Sequence, residues 1–362
     1  MELWAMLPVM ISERAPIPTR GAAANPANRF EEIHLERDED WNPEEDPLPR
    51  TQFLRDHSRT IITTNDSPDV GFEASINPYR GCEHGCIYCY ARPTHEYLGF
   101  SSGLDFETRI MVKEDAPKLL REELRSPKWV PKFLAMSGVT DPYQPIERRL
   151  KITRGCLEVL AEFRNPVGII TKNQLVTRDI DLLRQLAKFN AAAVFVSVTT
   201  LDTKLRKILE PRTSPPAARL ATISALSQAG IPVGVLVAPL IPGLTDHEIP
   251  QLVEAAAKAG AQRAGYVTLR LPYAVAPLFE QWLEQHYPDR KDKVLHRLRE
   301  MRGGKLYDAK WGKRMRGEGI FADQIENLFD VACRKAGLGA NELNLSTAAF
   351  RRPGGEQLNL FV

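Results

Sequence analysis

Three thiols stand close together in the segment Asn77-Pro-Tyr-Arg-Gly-Cys-Glu-His-Gly-Cys-Ile-Tyr-Cys-Tyr90, at Cys82, Cys86 and Cys89. With five cysteines in 362 residues, chance produces this spacing in about one such chain in a thousand, so the triplet reads as a ligand set. Gly81 and Gly85 let the backbone turn sharply and lie close to whatever the sulfurs hold. Three sulfurs can then converge on three irons of a four-iron cluster and leave the fourth without a protein ligand. Such an open position is where a substrate or cofactor binds. The competing use is a zinc site completed by His84 or His95, but the second spaced pair usual in zinc knuckles is missing. An electron-carrying cluster would call for a fourth cysteine near the loop, and none is near. Cys156 and Cys333 are expected to pack as small hydrophobes.

A loop of this kind needs a scaffold that holds its ends. From about residue 70, short β-rich runs at 74–78, 133–136, 167–170, 193–198, 233–238 and 266–269 alternate with helical patterns at 157–163, 180–189, 217–229 and 249–259. Alternation of this length means a parallel sheet with crossover helices. Six βα units predict an α/β core, a partial (β/α)6 barrel over residues 70–271 that is open on one side, with the cysteine loop after its first strand. Beyond Pro272 the strand pattern stops, and helices are expected at 275–286, 291–301 and 322–336, so residues 272–362 form a helical, basic C-terminal region. Residues 1–69 carry Pro, Ala, Asn and an acidic run from Glu31 to Asp46 with little apolar periodicity, and are expected to be a partly flexible, poorly structured acidic extension.

The spacing Cys-x3-Cys-x2-Cys, with Tyr88 just before the third cysteine, resembles the signature loop of the radical S-adenosylmethionine (SAM) superfamily. The wider text NPYRGCEHGCIYCYARPTHEYLG, together with SGVTDPYQPIE, resembles its spore photoproduct lyase-like, or DNA repair photolyase-like, branch over about residues 70–270. The N-terminal RGAAANPANRFE is familiar from one subgroup. The resemblance implies a [4Fe–4S] cluster whose fourth iron is chelated by SAM, reductive cleavage to a 5′-deoxyadenosyl radical, and a reducing partner of flavodoxin or ferredoxin type. It also marks Tyr88 and Tyr90 as radical-transfer candidates, whose other role is packing against the cluster.

SAM carries a carboxylate, an ammonium, a sulfonium, a ribose and an adenine, so its site draws on several strand ends, which in a barrel lie at the C-terminal face. Ser137, Thr140 and Asp141 after the second strand stand where many members carry Gly-Gly-Glu for the ammonium. Lys172 follows the third strand, and Ser197 and Thr199 the fourth. Glu210 suits ribose hydroxyls and Arg212 the methionyl carboxylate. After the fifth strand, APLIPGLTD resembles the adenine-contacting Gly-x-Ile-x-Gly region, with Pro239 in place of the first glycine, so backbone around Ile241 and Gly243 is expected beside the base.

In the lyase-like branch a cysteine near the SGVTD position donates hydrogen; here that position falls near Gly138, which has no side chain to do so. The net charge is only +2, too small to mark a nucleic-acid partner by itself. Residues 289–319, however, hold eleven Lys or Arg against five acids, with Tyr307 and Trp311 interleaved. That is either a solvated basic face or a nucleic-acid grip. The alternative to an enzyme is a zinc-stabilised nucleic-acid-binding module using the same segment. No apolar run is long enough to span a bilayer, and the cysteine spacing is not that of a secreted disulfide framework, so a cytoplasmic location without a membrane partner is expected.

Overall fold

The computed structural model describes residues 15–31, 49–339 and 345–353. In chain order the strands are β1 (Gln52–Arg55), β2 (Ile62–Thr64), β3 (Ala74–Ile76), β4 (Tyr79–Arg80), β5 (Arg109–Val112), β6 (Leu134–Met136), β7 (Val167–Thr171), β8 (Ala192–Ser197), β9 (Val233–Leu240) and β10 (Arg263–Thr268). The helices are α1 (Leu104–Thr108), α2 (Ala116–Arg125), α3 (Glu147–Leu150), α4 (Ile152–Phe163), α5 (Ile180–Ala187), α6 (Thr203–Leu209), α7 (Pro216–Gln228), α8 (Ile249–Lys258), α9 (Val275–His286), α10 (Pro288–Glu300) and α11 (Ile320–Ala336).

Six strands, β3, β6, β7, β8, β9 and β10, lie side by side in that order and pair in parallel. These are the six strands that the alternation predicts. Both faces of such a sheet are covered, so its strands read as continuous apolar runs; every residue of β8 except Phe195 is buried. A seventh strand, β2, pairs antiparallel with β3 at one edge. Among the described residues, β2 and β10 do not pair with each other, so the barrel is open between them.

A second sheet, in the order β1-β5-β4, fixes both ends of the cysteine loop, because β4 runs into Gly81 and β5 begins after α1. Helices α4, α5, α7 and α8 cover the barrel, and α9, α10 and α11 follow β10 as the helical C-terminal part. Residues 345–353 return to the barrel, where Ser346 N–H donates to Asn190 O (2.8 Å) and Phe350 lies 6.2 Å from Phe163 between ring centroids.

Two described parts of the expected loose extension are built into this frame. Residues 49–69 supply β1 and β2, and residues 15–31 lie against α1 and the cysteine loop, with Ala22, Ala23 and Ala24 buried. Ser101 Oγ donates to Pro26 O (2.6 Å), Leu104 N–H to Ala24 O (3.2 Å), and Arg29 pairs with Glu96 (2.5 Å). Small residues and backbone groups make these contacts, which leaves no apolar period to read. The acidic run beyond Glu31 lies outside the described residues.

Candidate active site

The cysteine loop is held by its own backbone first. Cys82 N–H donates to Phe106 O (2.9 Å) and Cys89 N–H to Cys86 O (3.2 Å). Gly81 and Gly85 have φ of +77° and +64°, a region that favours glycine. A β-carbon on Gly85 would stand 2.7 Å from Glu107 Oε2. All three thiols are unpaired, with Cys82 and Cys86 buried. Burial pushes each of them above the ordinary thiol range, and for Cys82 nearby Asp141, Cys86 and Cys89 add to it. Only a bound cation would hold such buried sulfurs as thiolates.

Behind the loop, Arg92 is fully buried and donates Nε (3.1 Å) and Nη2 (2.9 Å) to Cys86 O, and Nη2 to Glu107 (2.5 Å). Glu107, also fully buried, accepts the N–H groups of Gly21 (3.0 Å) and Ala22 (2.8 Å). The N-terminal segment is therefore latched onto the carboxylate that orients Arg92. Gly21 lies so close that a β-carbon there would stand 1.8 Å from Gly85 O.

On the other side, Thr140 Oγ1 donates to Gly81 O (2.7 Å), and Gln144 Nε2 reaches both Gly81 O (3.3 Å) and Thr140 Oγ1 (3.1 Å). Glu83 accepts from Ile146 N–H (2.8 Å) and pairs with Arg212 (2.9 Å). Asp141 accepts from Thr171 Oγ1 (2.7 Å), Lys172 N–H (2.8 Å) and Tyr143 N–H (2.9 Å), and lies 3.3 Å from His84 Nδ1. Burial alone would raise the Asp141 carboxyl, but His84 and these donors hold it below its usual range. The fold thus brings Thr140, Asp141 and Arg212 to the loop, with their polar atoms turned to bracing it.

Tyr88 points the opposite way. Its buried hydroxyl donates to Glu210, and Thr199 Oγ1 donates to the same carboxylate oxygen (2.6 Å). Lys172 Nζ lies 3.6 Å from Glu210 and donates to Ala238 O (2.9 Å). Arg219, 1% exposed, pairs with the other Glu210 oxygen and donates to Ser197 O (2.9 Å). Burial alone would raise Glu210, yet Arg219, Lys172, Thr199 and Tyr88 together hold it well below the carboxylate range. Burial, with Cys86 and Glu210 nearby, pushes the Tyr88 phenol far upward, so it stays a donor.

At the mouth, Tyr90 is 48% exposed and its hydroxyl donates to Gly138 O (2.5 Å). Gly138 has φ +139°, which residues with side chains rarely adopt; the backbone itself disfavours a cysteine there. Ser137 stays half-buried, its hydroxyl on Thr140 O (3.3 Å). Ile241 is buried in one cluster with Cys86, Tyr88 and Leu209. Gly243 turns the chain at φ +83°, with Lys293, Val294 and Arg297 of α10 packed beside it.

The basic run 310–316 crosses the open side of the barrel. Met315 O accepts from Thr268 N–H on β10 (2.8 Å), while Arg314 pairs with Asp69 and Gly312 N–H donates to Asp69 (2.6 Å) in the loop between β2 and β3. Sequence reading marked the charge of this run but not its path. It also missed Arg92, Glu107, Gln144, Glu83, Arg219 and Arg270. The RGAAANP stretch was the one signal pointing toward Glu107's partners.

Of the two histidines proposed for a zinc site, His84 is engaged through both ring nitrogens and His95 through Nε2 alone, its buried Nδ1 having no partner. His84 contacts Asp141 and, through Nε2, Asn173 Nδ2 (3.2 Å), and His95 Nε2 lies 2.8 Å from Arg109 O. Among the described residues no three His, Cys, Asp or Glu side chains are gathered as ligands of one metal ion, which for a tetrahedral zinc would place sulfurs about 3.8 Å apart. Three unpaired thiols on a braced loop, with no fourth cysteine beside them among the described residues, fit a cluster with one open iron. Cys156 is buried in the barrel core, and Cys333 is partly buried at its edge.

Among the described residues no helix is long and apolar enough to cross a membrane. The chain is 39% identical over 232 residues to an uncharacterized protein of Mycobacterium tuberculosis, covering 64% of this chain and 67% of the relative. It is 30% identical over 225 residues to an uncharacterized protein of Methanocaldococcus jannaschii, covering 62% and 80%. In three dimensions it is similar to spore photoproduct lyase complexed with dinucleoside spore photoproduct (TM-score 0.55, 17% identity, 78% of this chain and 79% of that one). It is equally similar to a double mutant of that lyase with bound AdoMet and dinucleoside spore photoproduct (TM-score 0.55, 18% identity, 78% of each). The family model of the Radical SAM superfamily matches residues 76–256, from the end of β3 to within α8, and with that span holding the three-cysteine loop and the parallel strands around it, the chain belongs to the radical SAM superfamily.

Proposed function

We propose that Cys82, Cys86 and Cys89 hold a [4Fe–4S] cluster, and that SAM bound beside it is cleaved reductively to a 5′-deoxyadenosyl radical that acts on a nucleic-acid base or lesion. The observation that carries this reading is the loop itself: three unpaired thiols, braced by Arg92 on one side and by Thr140 and Gln144 on the other, with no fourth cysteine beside them among the described residues. The zinc-module alternative would take its fourth donor from His95, whose Nδ1 is unpartnered, but among the described residues no three His, Cys, Asp or Glu side chains gather as ligands of one metal ion.

Around the cofactor, Lys172, whose ammonium donates to Ala238 O and lies 3.6 Å from Glu210, is the group we assign to the methionyl carboxylate. Ser137, Ser197, Thr199 and backbone near Ile241 and Gly243 lie at or after the ends of β6, β8 and β9 and are the further groups this reading assigns to the cofactor. Thr140, Asp141 and Arg212 act as positioning residues, because their side chains already serve the loop. Glu210 orders Tyr88, Thr199 and Lys172 and thereby shapes the floor of the site. Tyr88 packs over the loop, and Tyr90 lines the mouth; neither has a fixed redox partner, so a radical relay rests on the family likeness. The electron comes from an external flavodoxin- or ferredoxin-like reductant.

A nucleic-acid substrate is supported by the basic strap with exposed Trp311 and by the likeness to a lyase solved with a dinucleoside. A base in a duplex must leave the stack before a barrel can reach it. Glycine at 138 leaves that position without a hydrogen donor, so the quenching step differs from one using a cysteine there.

The test is anaerobic reconstitution followed by reduction with dithionite and SAM. Iron, sulfide and 5′-deoxyadenosine are expected in the wild type and absent from the Cys82→Ala/Cys86→Ala/Cys89→Ala variant. Stoichiometric zinc with no 5′-deoxyadenosine would overturn the reading. Damaged DNA and RNA oligonucleotides then test the substrate.

A further inference from the structure

Three guanidinium groups, those of Arg270, Arg302 and Arg314, stand together at the mouth between β10 and the strap, with Asp69 beside Arg314 and Asp308 near Arg302. Arg314 is paired with Asp69. Arg302 is 4% exposed and spends its terminal nitrogens on Leu269 O (2.8 Å) and Arg314 O (3.2 Å), leaving buried Nε without a partner. Burial, with Arg270 as its cationic neighbour, pushes Arg302 down to about 10. Arg270 directly follows the end of β10. Its buried Nε has no partner either, its Nη1 reaches only Met315 Sδ (3.5 Å), and its guanidinium lies 4.9 Å from the ring centroid of Tyr90. Among the described residues no carboxylate lies within ion-pair distance of it; Asp69, held by Arg314, acts on it only from further away.

A partly buried guanidinium without an anion is costly, because burial removes hydration that no partner replaces. Cationic neighbours make that worse. The cost falls when an oxyanion sits against the planar fork, which matches phosphate in a bidentate way. The location narrows the ligand's role. Tyr90 follows Cys89 directly and bonds to Gly138 O, so an anion on Arg270 lies at the rim of the cluster pocket, on the side closed by the strap. Lys172, which follows β7 and lies beside Glu210, is the group that the proposed function assigns to the cofactor's carboxylate.

We infer that Arg270, backed by Arg302 and faced by Tyr90, is a phosphate-binding subsite for the substrate, separate from the groups that hold SAM. The inference rests on the radical SAM reading and names the chemical class of what that site takes: a phosphate-bearing molecule, either a small phosphate ester or the phosphodiester next to a nucleic-acid base.

The test uses reconstituted holoprotein with SAM and titrates inorganic pyrophosphate, thymidylyl-thymidine and its uncharged methylphosphonate analogue, read by equilibrium dialysis. Wild type is expected to bind the charged probes, with the methylphosphonate at least about tenfold weaker, the scale of one charge-assisted hydrogen bond. Arg270→Gln should lose about tenfold for the charged probes and nothing for the neutral one, with Arg270→Lys in between. The change that SAM induces in the electron paramagnetic resonance of the reduced cluster should be the same in all three proteins. Preference for pyrophosphate supports the subsite with a small phosphate ester; preference for the dinucleotide supports it with a phosphodiester. Equal binding of all probes by wild type and Arg270→Gln, or loss of the SAM-induced change in that variant with probe binding intact, overturns it. A wild type that shows no cluster signal defeats the radical reading instead, and pyrophosphate binding is still measurable there.

Discussion

Glu210 has no exposed surface and receives Arg219, Tyr88 and Thr199, with Lys172 close by. Removing one member of such a buried pair leaves the other charge uncompensated, which costs about 3–5 kcal/mol. Glu210→Gln is therefore expected to lower stability by that amount, measured by urea unfolding of the apoprotein, while Tyr88→Phe removes one hydrogen bond and costs about 1–3 kcal/mol. His95 predicts a pH dependence. Burial lowers its pKa from 6.5 to about 4, so between those values the unfolded chain binds a proton that the folded chain does not. Its contribution to stability is complete above pH 6.5 and is lost as pH falls toward 4, by up to about 3 kcal/mol. Unfolding midpoints across that range should slope in the wild type and flatten in His95→Gln. Cys82, Cys86 and Cys89 were legible because their spacing is itself the signal. Arg92 and Glu107 were not, since a buried arginine and a buried glutamate look in sequence like any surface pair.

The loop between β4 and β5 depends on an element far from it in sequence. Gly21 and Ala22 donate to Glu107, and Gly21 has no room for a methyl group against Gly85 O. Gly21→Ala is expected to lift residues 15–31 off the loop, costing about 3 kcal/mol through the two hydrogen bonds to a buried charge. The readouts are faster tryptic cleavage at Arg20 and Arg29, and less iron retained after gel filtration of the reconstituted protein. The parallel strands β3 and β6 to β10 could be read in advance because sheet strands covered on both faces must be apolar. The two-residue β4, the edge strand β2 and the latch could not, because each is defined by a partner distant in sequence rather than by its own pattern.

Across the whole molecule, the partial barrel is closed by charge rather than by strand pairing. Arg314 and Gly312 meet Asp69 from the far edge of the sheet. Asp69→Asn removes the ion pair with Arg314 and weakens the acceptor of Gly312 N–H, and should loosen the strap without unfolding the barrel. Hydrogen exchange should rise in residues 65–73 and 310–318 while β7 and β8 stay protected. Unchanged exchange in both segments would show that the strap is held by its pairing with β10 alone. The basic run therefore has an architectural use that its composition did not reveal, and that use sets its aromatic and cationic groups at the rim of the pocket.

By itself, the sequence marked the candidate ligand set and the order of the six parallel strands, because both are written in local spacing: three thiols on a glycine-turned loop, and apolar runs separated by helices. Tertiary structure decided which polar groups remain free. Asp141, Thr140 and Arg212 read as cofactor ligands yet brace the loop, while Arg270 stood out in no local pattern and among the described residues ends at the mouth with no carboxylate in ion-pair contact. A side chain's chemistry is fixed by its type, but its availability is fixed by the hydrogen-bond partners that folding brings to it from distant parts of the chain.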